Sequence, residues 1–246
     1  MDQPTRRQLA HDLTSLLGLT APPLGILFSN EPPDGVSRFD EEFAAPTQGG
    51  RTGRVAAGCV FWFKGTERAF STVAEDHANC SVGSVTHGFR TLAEVAGNED
   101  VAALVESGWV TPEAFPQVPV VKERPEFVSY GPLGDLREAP QVVFLRVSAK
   151  QAMVLSEALP GDIRFEGKPQ CHIVPLAKEV GEIALSVGCM LSRVRTGMSA
   201  GEMTCALPLS RLAEVVDRLR ATCVADRQVA AYAAEDAKRF AGRASA

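Results

Sequence analysis

Short apolar runs of strand length alternate with amphipathic stretches of helix length along almost the whole of this chain. That alternation restricts the fold most, because interleaved strands and helices pack as layers about a sheet. Leu24-Gly25-Ile26-Leu27-Phe28, bounded by prolines, predicts a buried strand. Ala69–Ala74, Phe127–Tyr130, Gln141–Val147, Glu182–Val187 and Glu202–Leu207 read as further strands. Thr5 to Leu17 predicts a helix, with Leu9, Leu13, Leu16 and Leu17 on one face and Gly18 as C-cap. Thr91–Ala96 and Asp100–Trp109 look helical, and Ser148–Leu159 does so with Ser148 as N-cap and Met153, Leu155 and Leu159 available to bury. Gly167 to His172 reads as a turn opening a helix through about Lys178. Ser210–Ala221 and Ala225–Ala241 are expected as two closing helices, the second with Val229, Ala233, Ala237 and Phe240 on one face. Val55–Lys64 is apolar enough for a buried helix or a strand, Asn30–Arg54 reads as a long loop, and Val110–Arg124 as a proline-punctuated connection. The expectation is an α/β or α+β fold, a mixed sheet flanked by helices, in a single compact unit spanning 1–246. The strand order stays open.

Composition narrows the function classes. A formal net charge of -5 argues against nucleic acid, since a phosphate-binding surface needs an excess of lysine and arginine. No apolar run is long enough for a membrane span, and Met1 to Arg7 carries two arginines with no apolar core behind them. Cytoplasmic residence is therefore expected, with no membrane partner. There the six cysteines are reduced thiols, metal ligands or redox groups before they are disulfides.

Chemistry concentrates in Ala74–Gly88, which holds Glu75, Asp76, His77, Cys80, Gly83 and His87. The small residues Ser81-Val82-Gly83-Ser84 let the backbone turn tightly after Cys80. A helix starting there would place Cys80 near its N-terminus, where unpaired N–H groups favour a thiolate. The plain alternative is a polar turn with one buried cysteine, each histidine a surface or capping residue.

Cys59, Cys80, Cys171 and Cys189 each fall near an element edge, whereas Cys205 lies inside an expected strand and Cys223 just past an expected helix. The last two read as core thiols. The first four contain no C-x-x-C pair, so they match neither a zinc ribbon, a ferredoxin nor a thioredoxin pattern.

From about Leu17 to Leu219 the chain resembles the domain of unknown function 169 family, a prokaryotic family. Leu19-Thr20-Ala21-Pro22-Pro23-Leu24-Gly25-Ile26 is similar to its opening Leu-x-x-Pro-Pro-Val-x-Val segment. Thr72-Val73-Ala74-Glu75-Asp76 with Asn79-Cys80 is similar to its Thr-Ala-Glu-Asp segment and second cysteine. Val142–Ala158, Leu185-Ser186-Val187-Gly188-Cys189 with Arg193, Glu202-Met203 and Pro208–Leu212 resemble its later segments in order. The family pattern carries cysteines at places matching Cys59, Cys80, Cys171 and Cys189, so the resemblance makes these four a set. The chain departs from the pattern after Cys80, where a Gly-Gly run is usual, and around Cys171, where Lys168-Pro169-Gln170 and His172 replace small residues. His77, His87 and His172 are then candidates for chemistry of this branch's own.

Three readings follow. In the first, the four cysteines ligate a metal site, an iron–sulfur cluster of the [4Fe-4S] kind before zinc, in a redox or small-molecule-transforming protein. Gly83 and Gly188 would bring backbone N–H groups to the cluster sulfurs. His77 or His87 would serve as proton donor, oriented by Asp76 or Glu75, and Arg193 or Arg195 would hold an anionic substrate. Ligation by Cys59, Cys80 and Cys189 alone would leave one iron position open to substrate. In the second reading there is no metal, and Cys80 is a nucleophile or redox thiol activated by His77. In the third, the Asn30–Arg54 loop covers a small-ligand pocket and the cysteines are structural. The partner is a small-molecule substrate or a redox protein, and a homodimer is the default assembly.

Overall fold

A computed structural model describes residues 1–43, 58–167 and 170–241. Part of the expected loop Asn30–Arg54, the first residues of Val55–Lys64 and Lys168-Pro169 lie outside the described residues. The described residues form a seven-stranded mixed sheet: β1 (Leu24–Ser29), β2 (Phe70–Thr72), β3 (Phe127–Pro132), β4 (Val142–Ser148), β5 (Ile163–Glu166), β6 (Ile183–Ser186) and β7 (Glu202–Pro208). Its order is β2-β3-β1-β4-β7-β6-β5. The pairs are antiparallel except β5 with β6, whose parallel register matches Ile163 to Ile183. A parallel pair needs a crossover. Here it is the helical run of a 3₁₀ turn (Gln170–His172), α7 (Ile173–Pro175) and a π-helical turn (Leu176–Val180).

Alternation along the strands divides the interior in two. On β4, Val143, Leu145 and Val147 point to one core, while Val142 and Phe144 point to the other. The first core is roofed by α1 (Gln3–Leu17), α6 (Ala149–Ala158) and α9 (Leu212–Ala241), through Leu13, Leu155, Leu212, Val216 and Leu219. The second is covered by α2 (Gly58–Lys64), through Phe61 and Trp62, and by Ile173, Val174 and Leu176 of the crossover. Burying an aromatic or branched aliphatic side chain of this size stabilises a fold by about 1.5–3 kcal/mol. Further helical turns lie over this second face: α3 (Ser81–Thr86), α4 (Leu92–Val95), α5 (Glu99–Glu106) and α8 (Met190–Thr196).

The strands, the first helix and the caps follow the sequence closely. Gly18 ends α1 in the left-handed conformation, and Ser148 caps α6 in a reciprocal pair with Gln151. Two expectations change, and two elements are new. Ser210–Ala221 and Ala225–Ala241 are one 30-residue helix, α9, because Cys223 at the expected break is buried against α1 and its thiol donates to Leu16 O. Met153 is 49% exposed, and α6 buries Ala152, Val154, Leu155 and Ala158 instead. β5 and α8 had no sequence counterpart. Among the described residues no helix is long and apolar enough to cross a membrane.

Candidate functional site

Cys59 is the second residue of α2, placed by Phe61 and Trp62, which are buried against the sheet. Cys80 is the N-cap of α3, and its sulfur accepts a hydrogen bond from Gly83 N–H at 3.4 Å. A Cβ on Gly83 would stand 3.3 Å from that sulfur, so the small residue permits the approach. Cys171 sits in the 3₁₀ turn of the crossover. Cys189 is the N-cap of α8, and its sulfur accepts from Ser192 N–H at 3.2 Å. Gly188, at φ 82°, turns the chain from β6 into that cap, a backbone region that favours glycine.

These four segments, far apart in sequence, meet on the second face of the sheet. Cys59, Cys80, Cys171 and Cys189 all line one cavity of about 40 Å³, with Trp62, Gly83, His87, Gln170 and Arg195 also in its wall. Cys205 and Cys223 belong to the opposite core. Gln170 fastens the wall from behind: its amide donates to Thr204 Oγ1 of β7 at 3.0 Å and its oxygen accepts from Ser192 Oγ of α8 at 2.6 Å.

The electrostatics are those of crowded, largely buried thiols. Burial, with the neighbouring Cys80, pushes the Cys59 thiol up to about 12. Burial also raises Cys80, against the opposing pull of Arg195 and the Gly83 N–H. Cys171 is driven well above the usual thiol range by burial and then by the other cysteines. Arg195 reaches the sulfurs of both Cys59 and Cys80; burial opposes its charge, but the thiols outweigh that and raise its pKa. Arg195 thus places a positive charge beside Cys59 and Cys80.

The histidines divide. His87 lies in the cavity wall, its Nδ1 2.9 Å from Gly83 O and its ring 6.0 Å from that of Trp62. Burial lowers its pKa to about 4, so the ring is neutral near pH 7. Nδ1–H then donates to Gly83 O and Nε2 is left as an acceptor. Among the described residues, His87 Nε2 and Trp62 Nε1 are buried without a hydrogen-bond partner. His77 is fully buried behind the site, Nε2 3.0 Å from Thr72 Oγ1, with its pKa lowered well below the ordinary value by burial and then by His87. Asp76 does not orient either imidazole: it accepts from Val73 N–H and pairs with Arg38 at 2.7 Å. Arg193 spends its guanidinium on the backbone oxygens of Val187, Ser199, Ala200 and Glu202, bracing the loop between α8 and β7. Of the two arginines considered, Arg195 is the one at the cysteines.

Among the described residues no group of three or more His, Cys, Asp or Glu side chains is gathered as a single metal ion would need. Cys59, Cys80, Cys171 and Cys189 line one cavity without forming such a group.

Trp62, Gln170 and the wall residues Asp100, Leu104 and Trp109 carried no sequence signal for this site. Arg195 was signalled only by its place after Cys189.

No curated protein and no solved structure matches this chain. The family model of DUF169, described as an uncharacterised ArCR (COG2043), matches residues 12–218. The cysteine cavity, built wholly within that span, therefore belongs to a member of the DUF169 family.

Proposed function

We propose that Cys59, Cys80, Cys171 and Cys189 hold an iron–sulfur cluster, and that the protein acts in redox or small-molecule transformation in the reducing cytoplasm. The observation that carries this reading is the presence of all four thiols in one cavity, delivered by four separate helical segments. The donor chemistry supports it. Four thiolates are the usual ligand set of such clusters, and N–H donors to their sulfurs tune the potential. The N–H groups of Gly83 and Ser192 make two such contacts, to Cys80 and Cys189. Arg195 offsets part of the negative charge at Cys59 and Cys80. His87 adds a neutral ring to the wall, its Nδ1 2.9 Å from Gly83 O. The wall is mostly apolar, and apolar surroundings strengthen each of these interactions. When bound, the cluster would supply one-electron transfer, or Lewis-acid activation if one thiol is displaced. The metal-free reading needs a Cys80 thiolate at neutral pH, and burial acts against it.

The test is the visible absorption spectrum with iron and acid-labile sulfide analysis of protein purified without oxygen. Matched iron and sulfide are expected. Replacing Cys59, Cys80 or Cys189 by Ser should abolish or sharply reduce both, and Cys205→Ser should leave them unchanged. A colourless, iron-free protein that also resists reconstitution overturns the reading. Selective alkylation of Cys80 in that protein would then favour a reactive thiol.

A further inference from the structure

A second cavity, of about 690 Å³, opens beside the first. Its wall is almost wholly apolar, with Val85, Val101, Trp109 and Phe115 among its residues. Size and lining are those of a small-molecule site, in which a few polar groups select the ligand. Two wall residues carry titratable groups, Glu106 and His172. His172 is engaged by another carboxylate, its Nδ1 3.1 Å from Glu166 Oε1. Glu106 is exposed, so it stands where the cavity meets solvent, and it makes no ion pair among the described residues. It is also the last residue of α5, where the helix dipole disfavours a negative charge. A cation bound beside it offsets that. The surrounding chain has the same bias. Nearly all of the wall comes from residues 92–118, which carry Glu94, Glu99, Asp100, Glu106 and Glu113 and no lysine or arginine. Of these, Glu94 lies 3.7 Å from Arg124, and Asp100 accepts from Ser81. The summed field at the mouth favours positive charge.

We propose that this cavity binds a small amphiphilic monocation, with an apolar ring body in the cavity and an ammonium group beside Glu106. Trp109 and Phe115 supply aromatic surface for the ring, and the carboxylate selects the charge. The two cavities share only Val82, Leu104 and Trp109 of their described walls, and no cysteine lines the second. Binding does not depend on what the cysteines hold, so this inference and the cluster reading fail separately.

The experiment uses three probes of similar shape, 1-naphthylmethylamine, 1-naphthylmethanol and 1-naphthoic acid, titrated into the purified full chain by calorimetry at pH 7 and low salt. They are a cation, a neutral molecule and an anion. Saturable binding of the amine is expected, about fivefold tighter than the alcohol, with the acid weakest. Sodium chloride at 0.5 M should shrink the preference by screening. Glu106→Gln, a change at an exposed position, should bring amine and alcohol within about twofold of each other. Val118→Trp, or Ala114→Trp should the first be unstable, should fill part of the cavity and weaken amine and alcohol alike. Equal affinities for amine and alcohol, an acid that binds as tightly as the amine, or no saturable binding of the amine overturns the proposal. A fivefold preference that survives in Glu106→Gln, or unchanged binding in a folded Trp variant, overturns it too.

Discussion

His87 shows how one side chain's surroundings set its chemistry. Its pKa falls from the ordinary 6.5 to about 4, so the folded protein holds it neutral where the unfolded chain would protonate it. Between those values the unfolded state binds the extra proton, and stability rises with pH. The His87 contribution is complete above about pH 6.5 and is lost as pH falls toward 4. At 1.36 kcal/mol per unit, about 2 kcal/mol disappears between pH 7 and pH 5. Urea unfolding of chelator-stripped protein at the two pH values should show this loss in the parent and a loss smaller by about that amount in His87→Gln. Equal losses would mean that the imidazole is charged in the fold. The cysteine set was readable before the fold because the family resemblance singled out Cys59, Cys80, Cys171 and Cys189. Arg195 was half-readable, since its position after Cys189 could not distinguish it from Arg193. Gln170 was not readable at all. Its importance comes from Ser192 and Thr204 meeting it from two other elements, and no local pattern records that.

Elements were legible where they carry their own periodicity or caps, as with α1, α6 and β4. They were hidden where tertiary packing forms them. β5 has an exposed Phe165 and charged neighbours, so its apolar alternation is weak, and pairing to β6 makes it a strand. α8 turns Met190 and Val194 outward and buries only Ser192, which leaves no apolar stripe to read. It is held from outside by the Gln170 bridge to β7. Gln170→Leu keeps the volume but leaves the hydroxyls of Ser192 and Thr204 without this partner in a buried place. A loss of about 1–3 kcal/mol is expected in urea unfolding. Loss beyond that range would mean that the bridge secures more of the second face than α8 alone.

The molecule as a whole is unevenly consolidated. The first half of α9 buries Leu212, Val215, Val216, Leu219 and Cys223, and beyond it Val229, Tyr232 and Phe240 are each more than 60% exposed. Ending the chain after Arg227 should therefore shift the melting temperature by no more than about 2 °C, a calorimetric measurement. A larger drop would show that the outer helix stabilises the unit beyond its visible contacts. That the sheet is mixed was legible, but its order was not, because β7 is last in sequence yet pairs with both β4 and β6. This insertion has a consequence for synthesis. Until β7 emerges from the ribosome, the part of the sheet carrying Cys59 and Cys80 has no strand to join it to the part carrying Cys171 and Cys189. Such long-range pairing closes slowly. The nascent protein would thus carry its four thiols in two separate, open halves until β7 pairs with both β4 and β6.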